Sequence, residues 1–398
     1  MNTLAKYHLK ENPFDIFSHE HKMADRKEAW ETITKSLEAA FSGKGPRYFV
    51  ILGDYGVGKS YILERIFKWV SQEKALADVF VAYSGQDVLY ERRLALQESE
   101  PRWSKFGLDL IMRIFDNMDP TRLVTVMRKA KLDKINSRFK PLFMAISDNN
   151  EYALRYLRGD KIPTKELASI GGLAPITDSP TSLALFFDFL LVIHSAGYSS
   201  FLLLVDEFEK ISEQGERRIS QILNTFRTVF DTFGDYVTRC KGQIAKPIFT
   251  FATSPGGWER LKDLEAAAIK KTGGAGIAPF MERVSPRDII RLQPFSLENT
   301  VELVTTRLAE ARISTKEAIE PLFPFTERTV IYVHEVSFNK PRNVLQYCGI
   351  LLEDALQQNL DTIDINDASK ILQKYGINLV KPDNSKESSQ DKQGHLLQ

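Results

Sequence analysis

A glycine-rich segment carries the clearest chemistry in the sequence. It lies between an apolar run at residues 48–52 and a stretch of helical periodicity from about residue 61. Glycines let such a loop turn its amide hydrogens inward around a polyphosphate, and the helix that follows adds the positive end of its dipole. The sequence therefore predicts a nucleotide site formed by Gly53, Asp54, Tyr55, Gly56, Val57, Gly58, Lys59, Ser60 and Tyr61.

Two residues of this loop have the chemistry for a triphosphate with its metal. The Lys59 ammonium is expected to reach the β- and γ-phosphates, and the Ser60 hydroxyl is expected to coordinate Mg²⁺. An ordinary glycine-rich turn is the alternative. The setting of the loop between a buried strand and an amphipathic helix favours a nucleotide as the ligand.

A second apolar run, at residues 201–205, ends in Asp206 and Glu207. An unbroken apolar run is typical of a strand buried on both faces of a parallel sheet. At its carboxyl end Asp206 can hold the Mg²⁺ that Ser60 also contacts, and Glu207 can polarise the attacking water. The alternative is an acidic pair that caps the next helix.

A third run, at residues 247–254, ends in hydroxyl side chains. Beside the acidic strand, Thr253 or Ser254 could help to hold the hydrolytic water. The alternative is a strand-end turn before Pro255, Gly256 and Gly257.

The composition sets limits on the other classes of function. A chain of 398 residues with 43% hydrophobic residues can build two or three cores, and a net charge of +1 excludes a strongly basic surface overall. Two cysteines without a Cys/His cluster suggest neither a disulfide framework nor a zinc site. Without an apolar signal segment or a membrane-length run, we expect a cytoplasmic protein that makes no contact with membranes.

The pattern along the chain predicts an α/β fold: a parallel P-loop sheet with a large helical insertion and a C-terminal all-α lid. We expect a lead-in at residues 1–45, a nucleotide domain at 46–293 with an insertion at about 88–198, a lid at 294–378 and a disordered tail at 379–398. Helices are predicted at residues 27–41, 106–117, 119–131, 150–158, 183–196 and 215–233, and a mobile loop at 267–278.

This order of parts resembles that of AAA+ ATPases, particularly the initiator and origin-recognition clade, over roughly residues 12–375. In that family the lid carries a sensor arginine within a motif similar to Gly-Asn-Pro-Arg, and here Asn339, Lys340, Pro341 and Arg342 stand in its place. The resemblance implies that Arg342 contacts the γ-phosphate. Asn339 can replace the glycine because asparagine can adopt positive φ. A surface arginine at a helix start is the alternative.

AAA+ rings also use an arginine of one subunit to complete the neighbouring active site, because its charge stabilises the phosphoryl-transfer transition state. The resemblance makes Arg283 the first candidate and Arg287 the second, with surface salt bridges as the alternative. It also implies a homo-oligomer, either a ring or a filament.

A shorter likeness concerns the insertion. Residues 154–163 and 196–198 look like ATP-binding proteins of bacterial BREX-type phage-defence systems. This likeness implies a defence-linked role, with effector proteins as partners.

The partner is left open between DNA and protein. A basic stretch could contact DNA backbones, or it could be a solvated helix face; it comprises Arg128, Lys129, Lys131, Lys134, Arg138 and Lys140. Three functions therefore stay open: an ATPase that acts on DNA, a nucleotide-loaded scaffold with little turnover, and a DNA-independent remodeller of proteins.

Overall fold

The computed structural model describes residues 3–15, 26–84, 114–115, 118–176, 178–213, 216–271, 280–313 and 319–378. The chain divides into two compact units. The larger unit is Arg26–Gln293, and the smaller unit combines Met1–Asp25 with Pro294–Gln398. The segment predicted as a lead-in is thus split between the two units.

A five-stranded parallel sheet forms the centre of the larger unit. Its strands are β1 (Arg47–Leu52), β2 (Val79–Ser84), β3 (Ser200–Val205), β4 (Lys246–Thr253) and β5 (Ile289–Arg291), in the order β2-β3-β4-β1-β5. The apolar runs form these strands because both faces of the sheet are covered, so that nearly every side chain of β1, β3 and β4 is buried. The predicted parallel α/β sheet is confirmed.

Nine helices accompany the sheet in the described part of this unit. They are α1 (Lys27–Ser42), α2 (Lys59–Gln72), α3 (Pro120–Lys129), α4 (Lys140–Ser147), α5 (Glu151–Leu157), α6 (Thr164–Leu167), α7 (Ser179–Ser195), α8 (Glu216–Arg239) and α9 (Pro255–Lys271). Helices α3 to α7 lie between β2 and β3, as the predicted insertion requires. The helix predicted at 106–117 lies almost entirely outside the described residues.

The loop predicted at residues 267–278 is wrong in its first part. Helix α9 continues to Lys271, and residues 272–279 lie outside the described part of the chain. Alanine has the highest helix propensity, and Ala266, Ala267 and Ala268 extend the helix. Lys270 and Lys271 then place positive charge at the negative end of its dipole.

An aromatic cluster joins the sheet to α8. The Tyr48 ring of β1 stacks on Phe249 and Phe251 of β4, with ring centroids 5.3 and 6.1 Å apart. The Tyr48 hydroxyl donates a hydrogen bond of 2.5 Å to the backbone oxygen of Phe226 on α8. Because these groups are fully buried, they fix β1 and β4 relative to each other, starting from the amino-terminal half of β1.

The smaller unit is helical, as predicted for the lid. It contains α10 (Leu297–Ala311), α11 (Glu327–Val336), α12 (Pro341–Gln357) and α13 (Ile365–Lys374). Tyr7, Leu9 and Phe14 of the N-terminal segment are buried in the same core. The predicted tail at 379–398 lies outside the described residues, and among the helices described in either unit none is both long and apolar enough to cross a membrane.

Candidate nucleotide-binding site

Strand order brings the two predicted chemical segments together. Strand β4 pairs with β1 on one side and with β3 on the other, with Leu52 aligned to Thr253 and Val205 to Phe251. Adjacent strands are about 4.8 Å apart, so the backbones that leave β1 and β3 are separated by about 10 Å. The glycine loop and the Asp206-Glu207 pair therefore emerge at the same edge of the sheet, at a distance that a metal–triphosphate can span.

The loop has the backbone of a phosphate cradle. Gly58 stands immediately before α2 with φ 96°, a conformation that side-chain-bearing residues rarely adopt. Gly53 is needed for space, because a Cβ atom there would lie 2.6 Å from Val57 Cγ2. The loop leads directly into the N-terminus of α2, where free backbone amides and the helix dipole favour an anion.

Lys59 and Ser60 occupy the first two positions of α2. The Lys59 ammonium donates to the backbone oxygens of Gly53 and Asp54, at 2.9 and 3.2 Å. It therefore lies across the loop that would receive the phosphates, and the Ser60 side chain is exposed beside it.

Arg26 holds the loop from the side. Its guanidinium donates to the backbone oxygen of Val57 at 2.7 Å and to that of Gln293 at 2.5 Å. These bonds tie the loop to the end of the larger unit through a charged donor, which makes stronger hydrogen bonds than a neutral one. The sequence gives no local signal for this contact, because it depends on how α1 packs.

Asp206 and Glu207 follow β3 directly. The backbone amide of Asp206 donates to Ser84 O at 3.0 Å, and the amide of Glu207 donates to Asp206 Oδ1 at 2.8 Å. Glu207 has φ 45°, an uncommon conformation for a residue with a side chain. Such outliers are concentrated at functional sites, where the surrounding structure maintains them.

Glu207 is also paired with a cation. Lys210 Nζ lies 2.7 Å from Glu207 Oε2, close enough for an ion pair, although that oxygen accepts no hydrogen bond of favourable geometry. The contact is an ion pair because the attraction between opposite charges depends on their distance and needs no particular angle. The pair restrains the carboxylate that would polarise the attacking water.

Thr253 ends β4 beside the loop. Its side chain is fully buried, and its backbone oxygen accepts the amide hydrogen of Gly53 at 3.2 Å. Ser254 Oγ instead accepts the amide hydrogen of Gly257 at 3.1 Å, within the first turn of α9. The predicted role of Thr253 in holding water stays a prediction. Ser254 lies at the start of α9, where a strand-end turn is the alternative.

Arg283 is bound within its own chain. Its guanidinium donates to both carboxylate oxygens of Asp231 on α8, at 2.9 to 3.1 Å, and its side chain is 16% exposed. Arg287, the second candidate for a contact with a neighbouring subunit, is exposed. That either arginine acts on a neighbouring subunit stays a prediction.

Arg342 belongs to the smaller unit, where it is the second residue of α12 and is exposed. In the turn before it, Asn339 has φ 60°, as expected for a residue that replaces glycine. Phe338 also has positive φ and is 62% exposed. The contact of Arg342 with a γ-phosphate stays a prediction.

The donor set fits magnesium. Mg²⁺ prefers oxygen ligands and is usually held by one or two carboxylates together with substrate phosphates and water. The Ser60 hydroxyl and the Asp206 carboxylate supply such oxygens from the two sides of β4, with Glu207 beside them. The assignment of Ser60 and Asp206 as metal ligands stays a prediction.

Comparison with solved structures identifies the fold. The ORC2 protein of Aeropyrum pernix is 13% identical, with a TM-score of 0.50 over 92% of this chain and 72% of the other. Cdc6p from Pyrobaculum aerophilum is 10% identical, with a TM-score of 0.47 over 91% and 70% of the two chains. A Walker-type ATPase of Pyrococcus abyssi is 15% identical, with a TM-score of 0.47 over 91% and 76%.

The chain has the AAA+ α/β fold. The predicted likeness to the initiator clade is confirmed for the fold. No family model and no curated protein matches the sequence. The likeness to BREX-type proteins stays a prediction.

Within this AAA+ fold, the residues at the strand ends could be predicted from the sequence, but the residues that bind them could not. Arg26, Lys210 and Asp231 lie outside the predicted motifs. The sequence does contain a signal for the Lys210 contact, since a lysine three residues after Glu207 can reach its carboxylate within one helical turn. It contains none for the Asp231 contact, because Asp231 lies 52 residues before Arg283.

Replacing Arg26 with alanine is expected to weaken ATP binding about tenfold. A hydrogen bond from a charged group contributes about 1.5 kcal/mol or more, and its loss frees the loop at Val57. Lys27→Ala is the control, because Lys27 is the next residue and is exposed at the start of α1. Calorimetric titration with a non-hydrolysable ATP analogue measures the difference, and equal affinities of the two variants would contradict this role.

Replacing Lys210 with methionine is expected to raise the basal ATP turnover two- to fivefold, as an order-of-magnitude estimate, with KM for ATP unchanged. The variant releases Glu207, and the effect is small because the Lys210 side chain is 54% exposed and the pair is screened by solvent. Lys262→Met removes a comparable pair with Glu259, at 2.8 Å and also three residues apart. A steady-state ATPase assay that finds lower turnover for Lys210→Met alone would show that Lys210 supports Glu207 instead.

Proposed function

We propose that this chain is a Mg²⁺-dependent AAA+ ATPase. It couples ATP binding and hydrolysis to oligomeric assembly or to a conformational change, on DNA or on a DNA-acting partner. The observation that supports the proposal is the placement of the glycine loop and of Asp206-Glu207 on either side of β4.

Each predicted site residue has a role in the proposed reaction. The amides of the loop and Lys59 bind the phosphates, while Ser60 and Asp206 hold the cation. Magnesium would supply charge neutralisation at the β- and γ-phosphates. Glu207 orients and polarises the water, and Thr253, Arg342 and Arg283 sense or stabilise the γ-phosphate.

The fold likeness supports a nucleotide of this kind. The Aeropyrum pernix ORC2 protein was solved as complexes with ADPNP and ADP. Since the identity is 13%, the choice of an adenine nucleotide for this chain is part of the proposal and is tested directly below.

A second function is favoured by the ion pairs that two of the predicted site residues make. Glu207 is restrained by Lys210 and Arg283 is bound by Asp231, so two charges that hydrolysis would need are neutralised within the chain. A nucleotide-loaded scaffold or switch, which recruits effectors and turns over slowly, would use such restraints. A role in phage defence would suit this candidate; it rests on the short likeness at residues 154–163 and 196–198.

Two variants separate these functions. Lys59→Ala is expected to abolish binding of ATP, whereas Glu207→Gln is expected to bind ATP normally and lose about 10²-fold or more of its turnover, because it lacks a general base. Glu259→Gln is the control, since Glu259 is an exposed glutamate on α9. A wild-type chain that binds ATP and hydrolyses none at high concentration, with or without DNA, supports the switch. A chain that binds no ATP contradicts both functions.

Contact with DNA would involve the basic stretch of the insertion. Three of its members are held locally: Arg128 Nε donates to Ser147 O at 2.8 Å, Lys140 Nζ donates to Asp133 O at 2.9 Å, and the Arg138 guanidinium lies 4.7 Å from the centroid of the Phe139 ring. Lys129, Lys131 and Lys134 are exposed. Backbone contacts of this kind would be largely independent of DNA sequence.

Replacing Lys129, Lys131 and Lys134 together with alanine is expected to weaken binding of duplex DNA. Each lost phosphate contact should reduce the slope of log K against log salt by about 0.9. Fluorescence anisotropy across a salt series measures this slope.

The control for this experiment replaces three exposed lysines elsewhere, Lys44, Lys74 and Lys370. An equal loss of binding in the control would show that DNA binding depends on the net charge of the chain and not on the basic stretch. The absence of DNA binding by the wild-type chain at low salt would favour a protein partner.

A further inference from the structure

Tyr83 lies next to the acidic pair on a neighbouring strand. It is the penultimate residue of β2, which pairs with β3 so that Tyr83 is aligned with Leu204 and Ser84 with Val205. The Asp206 amide donates to Ser84 O just beyond this pairing. Tyr83 therefore lies on a paired strand, β2, at the level where β3 leads into Asp206.

The two oxygens of the Asp206 carboxylate each accept a hydrogen bond. Oδ1 accepts the backbone amide hydrogen of Glu207 at 2.8 Å, and Oδ2 accepts the hydroxyl hydrogen of Tyr83 at 3.3 Å. A carboxylate oxygen has two lone pairs, so each oxygen keeps an acceptor position after these bonds. The carboxylate is thus held at both ends and still available to a cation.

The Tyr83 hydroxyl is a hydrogen-bond donor, because a phenol keeps its proton at neutral pH. A phenylalanine ring at this place would leave Asp206 Oδ2 without this bond.

We propose that Tyr83 is a positioning residue of the nucleotide site, whose hydroxyl orients the Asp206 carboxylate toward the divalent cation that accompanies ATP. The inference rests on the proposed function of this site. The bond is long, at 3.3 Å, so its contribution is orientation of a charged ligand more than bond strength. Residues that orient a metal ligand commonly change metal affinity 10- to 100-fold when they are replaced, as an order-of-magnitude guide.

The test is Tyr83→Phe, which removes the hydroxyl and keeps the ring. Binding of a fluorescent, non-hydrolysable ATP analogue is titrated in EDTA and then across a Mg²⁺ series. We expect the affinity in EDTA to stay within about twofold of the wild type, and the half-saturating Mg²⁺ concentration to rise about tenfold. A change confined to the magnesium dependence is one that a purely structural role would not produce.

Two further variants complete the experiment. Tyr156→Phe removes another buried hydroxyl, which donates to Ala174 O at 2.6 Å within the insertion, and is expected to leave the magnesium dependence unchanged. In an Asp206→Asn background, Tyr83→Phe is expected to have no additional effect, because Tyr83 acts through Asp206.

The outcomes separate this inference from the function on which it rests. Wild-type magnesium dependence in Tyr83→Phe overturns the role of Tyr83. An equal loss of affinity with and without Mg²⁺ also overturns it, because it indicates damage to the loop. Failure of the wild-type chain to bind the analogue overturns the proposed function instead.

Discussion

The position of β4 between β1 and β3 is the constraint on which the candidate site depends. Because β4 pairs in parallel with both strands, the loop after β1 and the acidic pair after β3 leave the sheet at one edge, about 10 Å apart. The buried Tyr48, Phe249 and Phe251 rings hold β1 and β4 together below this edge. Packing in the core therefore sets the spacing between groups that are more than 140 residues apart in sequence.

Three charged residues of the predicted site are bound to partners within the chain. Lys59 donates to its own loop, Lys210 neutralises Glu207, and Asp231 binds Arg283. Burying or positioning a charge without a partner is costly, so a preformed site satisfies its charges locally until a ligand replaces the partners. Under the proposed function, these partners would have to be displaced before hydrolysis.

The strand ends could be predicted from the sequence because their chemistry is local. A buried apolar run followed by glycines, or by Asp206 and Glu207, predicts both the strand and the end at which the site is proposed. The contacts of Arg26 with Val57 and of Arg283 with Asp231 could not be predicted, since they depend on the packing of α1 and α8 against distant segments. The end of α9 could not be predicted for another reason. The glycines from residue 273 onward indicate a loop, and this signal outweighed the helix propensity of the alanines before them.

The most direct test of the account is the position of Mn²⁺ in crystals grown with a non-hydrolysable ATP analogue, located by anomalous diffraction. The account predicts a peak about 2 Å from Ser60 Oγ, with Asp206 bound to it directly or through one water and the triphosphate lying along residues 53–60. A metal bound away from both residues, or a nucleotide bound elsewhere on the chain, would contradict it.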